Sequence, residues 1–109
     1  MLYAGGLRFL EMSLDNLREK QFESFTITNI RAQNILSELR SSLDYERGGE
    51  VSARLAGIYT YLLERLVDSN RRRGPEGIEE VMRIMRELKD AWEQVVAIET
   101  PSSAPVRAA

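Results

Sequence analysis

Residues 75–95 read PEGIEEVMRIMRELKDAWEQV, and this stretch decides the fold class. Ile78, Val81, Met85, Leu88, Trp92 and Val95 recur at alternating spacings of three and four, which places them on one stripe of an α-helix. Pro75 suits the first helical turn, where a missing N–H costs nothing. Glu76, Glu79 and Glu80 sit close to the positive end of the helix dipole. The helix is expected to run from Pro75 to Glu99 and to stop at Thr100-Pro101, with Trp92 on its core face.

Working outward, three more segments show the same period. Arg71-Arg72-Arg73 and Gly74 precede Pro75 and close a third helix, expected over about 50–70, whose face carries Val51, Leu55, Ile58, Tyr59, Leu62 and Leu66. Before it, Asp44 to Gly49 reads as a stop, because Gly48-Gly49 can take the positive φ that a helix end needs. The second helix is expected from Glu23 or Ser24 to Leu43, with Phe25, Ala32, Ile35, Leu36, Leu39 and Leu43 inward. The first runs from Leu2 to about Lys20 on Tyr3, Leu7, Leu10, Leu14 and Leu17. Four helices of about 20 residues, roughly 30 Å each, joined by short links, predict an all-α, antiparallel up-down four-helix bundle over residues 1–99. Residues 100–109 are small and Pro-containing and are expected to form a disordered tail.

Composition narrows the function. The 109 residues contain no cysteine and no histidine. That removes thiolate chemistry, the commonest general base, the commonest metal ligand and the Glu-x-x-His pattern of di-iron bundles. No catalytic triad can be assembled, and neither a metal nor a cofactor is expected. The formal net charge of −2 gives no footprint for nucleic acid. Arg71-Arg72-Arg73 reads as a solvated helix end, with phosphate contact as the competing reading. No secretory signal or membrane-spanning stretch is visible, and the default expectation is a cytoplasmic protein.

What remains is apolar surface beyond the needs of a bundle. On the third helix Ala56, Leu63 and Val67 form a second stripe beside the Leu62 face, while Tyr61 lies off the core on the other side. Ile27 and Ile30 lie away from the Leu36 face, and Ile84 sits on the shoulder of the fourth helix. Two readings stand: a wide core stripe touching two neighbours, or a groove for an apolar or amphipathic partner segment. The candidate groove residues are Ile27, Ile30, Ala56, Tyr59, Leu63, Val67 and Ile84. A bundle that homo-oligomerises through these faces is the alternative.

The chain also resembles a known family. Met1 to Glu11, MLYAGGLRFLE, is similar to the MLYNGAIRFLE stretch of FliS, the flagellin-specific export chaperones. Ala32 to Leu39 (AQNILSEL), then Ser42-Leu43-Asp44 and Gly48-Gly49-Glu50, continue the resemblance. So do Leu55 to Leu66 with Tyr59-x-Tyr61 and Arg65-Leu66, then Asn70, Glu80-Val81 and Leu88-x-x-x-Trp92. The match extends over about residues 1–96. It implies a non-enzymatic cytoplasmic chaperone that binds the disordered C-terminal region of flagellin, blocks its premature polymerisation and presents it to the export gate. Family members carry a short polar segment with a tyrosine ahead of this stretch, whereas the sequence here opens at Met1 of the stretch itself. Gly5-Gly6 stands where the family has Asn-Gly and lowers helix propensity by up to about 1 kcal/mol.

Overall fold

The computed structural model describes residues 2–99, with side chains described as far as Trp92. Among these residues there are four helices and no strand: α1 (Leu2–Arg18), α2 (Phe22–Ser41), α3 (Tyr45–Arg72) and α4 (Pro75–Glu99). Each helix packs on its two neighbours in the cycle α1–α2–α3–α4, the arrangement of an antiparallel bundle. The expected disordered tail lies outside the described residues, as does the side chain of Val95.

The links are tight because the caps are specific. After α1, Lys20 takes a left-handed conformation with φ +57. Its N–H bonds the Leu17 carbonyl at 3.1 Å, and the Gln21 N–H bonds the Asn16 carbonyl at 2.8 Å. Together these form a Schellman motif with a lysine where glycine is usual. Arg73 does the same after α3 with φ +55, and Gly74 N–H bonds the Ser69 carbonyl at 3.2 Å. The Arg73 guanidinium then lies 4.3 Å from the centre of the Phe22 ring.

One boundary differs from the sequence expectation. Gly48-Gly49 does not separate α2 from α3. Helix α2 ends at Ser41, and Asp44 caps α3, accepting from the Glu46 and Arg47 backbone N–H groups at 3.1 Å each. Gly49 does take the expected positive φ, with φ +52 and ψ −123, but as a non-helical break inside α3 between a short turn from Tyr45 and the long stretch that starts at Glu50. The kink turns Ser52 inward, with its hydroxyl bonded to the Asp44 carbonyl at 2.9 Å. Val51, expected on the core face, is therefore 63% exposed.

The core consists of Leu10, Leu14, Phe25, Ala32, Leu36, Tyr59, Leu62, Leu66, Ile78, Val81, Met82 and Met85. All but Met82 come from the stripes expected from sequence. Trp92 does not join them and is 63% exposed. Ala4, Gly5 and Leu7 of α1 face the Arg86–Asp90 stretch of α4. The core also takes polar side chains from α2. Asn29 is completely buried; its amide donates to the Leu66 carbonyl at 3.2 Å and its oxygen accepts from Gln33 at 2.7 Å. Thr28, also buried, donates its hydroxyl to carbonyls of the preceding turn. Such groups are tolerated inside because their hydrogen bonds are made.

Candidate functional site

The seam between α2 and α3 is joined by polar side chains at three levels. Near one end Thr26 donates to Asn70 at 3.0 Å. Next comes the Asn29 bond to the Leu66 carbonyl. Further along, the Arg40 guanidinium donates to the Thr60 hydroxyl at 3.1 Å. Beside this seam lies an open groove of about 450 Å³, lined by Arg40, Thr60, Leu63, Glu64, Val67, Asp68 and Arg71. Its apolar part is Leu63, half-buried, and Val67, 53% exposed.

The groove brings together part of the sequence-derived set. Leu63 and Val67 line it, and Ala56 continues their helical row one turn before Thr60. Ile30 follows Asn29 directly and lies one turn from Thr26, so it flanks the same seam at 43% exposure. Ile27, 47% exposed, lies farther out on α2. Two residues are placed elsewhere. Tyr59 is buried and points across the core, where its hydroxyl meets that of Tyr3 at 2.5 Å. Ile84 is half-buried one turn after Glu80, whose carboxylate binds Tyr61 and Arg65 of α3, both at 2.6 Å. It therefore belongs to the α3–α4 side. Periodicity gives the angle of a residue around its own helix but not which neighbour it meets. Arg40 and Thr60 were missed: Thr60 does continue the Ala56 row, whereas nothing in the sequence marks Arg40.

The charges around the groove are unequally partnered. Asp68 binds Arg71 at 2.8 Å and Arg72 at 3.0 Å, with Arg65 at 3.7 Å. Burial opposes its charge, but the Arg72 and Arg71 guanidiniums outweigh this and hold the carboxyl below its ordinary range. Hydrogen bonds from Tyr61 and Arg65 lower Glu80 as well, and the bond to Glu80 raises the Tyr61 phenol. This network takes in Arg71 and Arg72 of the arginine run read from sequence as a helix end. Arg40, half-buried, makes no ion pair among the described residues; its one partner is the neutral Thr60 hydroxyl.

A second trough of about 630 Å³ lies between α1 and α4, lined by Ala4, Gly5, Leu7, Arg8, Glu11, Arg86, Lys89 and Asp90. Five of these eight are charged, and Glu11 faces Arg86 at 3.6 Å, so a smaller share of its wall is apolar than in the α2–α3 groove. Among the described residues no group of three or more His, Cys, Asp or Glu side chains is placed to hold a metal ion. No described helix is long and apolar enough to cross a membrane.

The described residues form an all-helical bundle with an open, charge-rimmed groove beside the α2–α3 seam. Residues 1–99 match the family described as Flagellar protein FliS, and the chain belongs to that family. The flagellar secretion chaperone FliS of Campylobacter jejuni is 36% identical over 100 residues, spanning 92% of this chain and 78% of that protein. FliSB of Pseudomonas aeruginosa, also named a flagellar secretion chaperone, is 32% identical over 95 residues, 87% of this chain and 75% of its own. The FliS chaperone of Bacillus subtilis is 32% identical over 99 residues, 91% and 73% respectively.

Proposed function

We propose that this protein is a cytoplasmic chaperone that binds the C-terminal region of flagellin along the α2–α3 groove, keeps it from polymerising prematurely and helps deliver it to the flagellar export apparatus. The observation that carries this reading is the apolar row of half-buried Leu63 and exposed Val67 in the α2–α3 groove, flanked by exposed Ile30, on a chain of the FliS family. Fully covering a side chain of this size is worth about 1.5–3 kcal/mol, so an amphipathic segment laid along the row gains affinity as it hides its own apolar face. The reading assigns no catalytic step and no cofactor.

Titration calorimetry with the C-terminal segment of the organism's flagellin tests it, with submicromolar binding expected. Val67→Glu should weaken that binding at least tenfold and leave the melting temperature nearly unchanged, because Val67 is half outside the fold already. Absence of binding by the wild-type protein refutes the reading. One observation favours a second reading, self-association: Leu2, Tyr45, Val51 and Trp92, from α1, α3 and α4, are all exposed. Light scattering that finds a discrete oligomer which the flagellin segment fails to dissociate would support it.

A further inference from the structure

The groove holds an arginine whose charge is unanswered. Arg40 is half-buried on α2 and donates one hydrogen bond, to the Thr60 hydroxyl at 3.1 Å. A guanidinium carries five donors in a planar fork that fits a carboxylate with two parallel bonds. A neutral hydroxyl uses one of them and leaves water to serve the rest. Once an occupant covers Leu63 and Val67, that water is displaced and the charge is desolvated. An occupant lacking an acceptor at this point would leave the guanidinium uncompensated. One carrying a carboxylate would replace the hydroxyl with a charge-assisted pair.

We propose that Arg40 is the specificity residue of the α2–α3 groove, selecting an amphipathic helical segment whose carboxylate lies one to two turns from the apolar side chains that cover Leu63 and Val67. This rests on the reading that the groove takes such a segment. The spacing follows from α3. Thr60, which marks the Arg40 site, is three residues from Leu63 and seven from Val67, or about 4.5 and 10.5 Å along the helix axis. The occupant's acidic residue therefore falls three or four positions from an inner apolar residue and about seven from an outer one. At the other end of the groove Asp68 and Arg71 line the wall and pair with each other at 2.8 Å, so an occupant's carboxylate finds an arginine without a carboxylate partner among the described residues only at Arg40.

The test uses designed amphipathic helical peptides with two leucines at this spacing and a single Glu or Gln at the acidic position. Both chain directions are made, and binding is measured by fluorescence anisotropy against the full chain. In one direction the Glu peptide should bind about tenfold more tightly than its Gln counterpart, which corresponds to about 1.4 kcal/mol. The preference should vanish in Arg40→Gln, survive in part in Arg40→Lys and persist in Thr60→Val, which removes the hydroxyl but keeps the guanidinium. It should shrink with added salt. Equal binding of Glu and Gln peptides, a preference that survives Arg40→Gln, or no binding by any peptide overturns the proposal. If Arg40→Gln does not fold, the wild-type preference and its loss in salt decide. The two proposals fail separately. A Glu preference without flagellin binding sinks only the flagellin reading, whereas flagellin binding that is unchanged in Arg40→Gln sinks only the role of Arg40.

Discussion

Gly77 and Gly57 make the sharpest test of the bundle, because the same substitution is expected to act in opposite directions. Both are helical glycines, and Ala in place of Gly favours a helix by about 1 kcal/mol. At Gly57 a Cβ would meet nothing within 4 Å. Gly57→Ala should therefore keep most of that gain and stabilise by about 0.5–1 kcal/mol. At Gly77 the new carbon would lie 2.9 Å from the Arg65 carbonyl oxygen and 3.1 Å from Ser69 Cβ. The carbonyl belongs to the α3 backbone and cannot rotate away, so α4 must retreat by about half an ångström. Ile78 and Val81, both completely buried, retreat with it, and gaps of this size forfeit roughly a quarter of each contact's attraction. Overpacking of this kind costs about 1–3 kcal/mol, so after the helical gain of about 1 kcal/mol Gly77→Ala should destabilise by up to about 2 kcal/mol. Urea unfolding followed by helical circular dichroism measures both, with Tm moving roughly 4–8 °C per kcal/mol. Gly49→Ala adds a third sign test: its φ of +52 with ψ of −123 suits glycine alone, and about 1–3 kcal/mol should be lost. A stabilising Gly77→Ala would refute the close α3–α4 contact, and a destabilising Gly57→Ala would refute the open face of α3.

Asn29→Ala should destabilise by about 1–3 kcal/mol by equilibrium unfolding, since it strips partners from Gln33 and the Leu66 carbonyl inside the bundle. Lys20→Gly should stabilise by about 1 kcal/mol, because it relieves a left-handed non-glycine residue without touching the Schellman bonds. The single tryptophan should report a solvated indole, with red-shifted emission open to acrylamide quenching; a blue-shifted, protected spectrum would restore it to the core. Stability should be level from about pH 5 to about pH 9, where no side chain type present has its ordinary pKa. Below that window Asp68 and Glu80, both lowered in the fold, stabilise above the ordinary carboxylate range, and this is lost as pH falls through their folded values. Above it Tyr3, raised first by burial and then by its bond to Tyr59, stabilises fully below the ordinary phenol value and loses this as pH climbs past it. Thermal melts of Glu80→Gln and Tyr3→Phe should flatten the acid and alkaline limbs respectively.

The helices of this bundle were legible wherever apolar residues keep a helical period, as in Leu10 and Leu14 or Ile78, Val81 and Met85. They were less legible where a residue's type argues against its position. Thr28 and Asn29 lie outside the apolar set expected to face inward from α2, yet both are buried, because their hydrogen bonds are completed by carbonyls that no sequence pattern displays. Gly48-Gly49 reads as a stop, but Asp44 provides the cap a few residues earlier and the glycines become a kink. Trp92 keeps perfect heptad spacing yet is exposed, because spacing fixes a residue's angle on its own helix and not whether a neighbour covers it. For the groove, the Leu63 and Val67 row was visible in the sequence. The arginine beside it was not, since its significance lies in what it fails to pair with across the seam.

The three polar links between α2 and α3 also act as a gauge. Sliding α2 by one turn, 5.4 Å, would part Thr26 from Asn70, Asn29 from the Leu66 carbonyl and Arg40 from Thr60 in a single step. Apolar packing alone tolerates such slips far better, because one leucine serves nearly as well as the next. The buried asparagine thus fixes a length on the surface, the separation of positive charge from apolar row, from eleven residues or roughly 16 Å away. A change at Asn29 that left the bundle folded would be expected to alter which partner segments fit it.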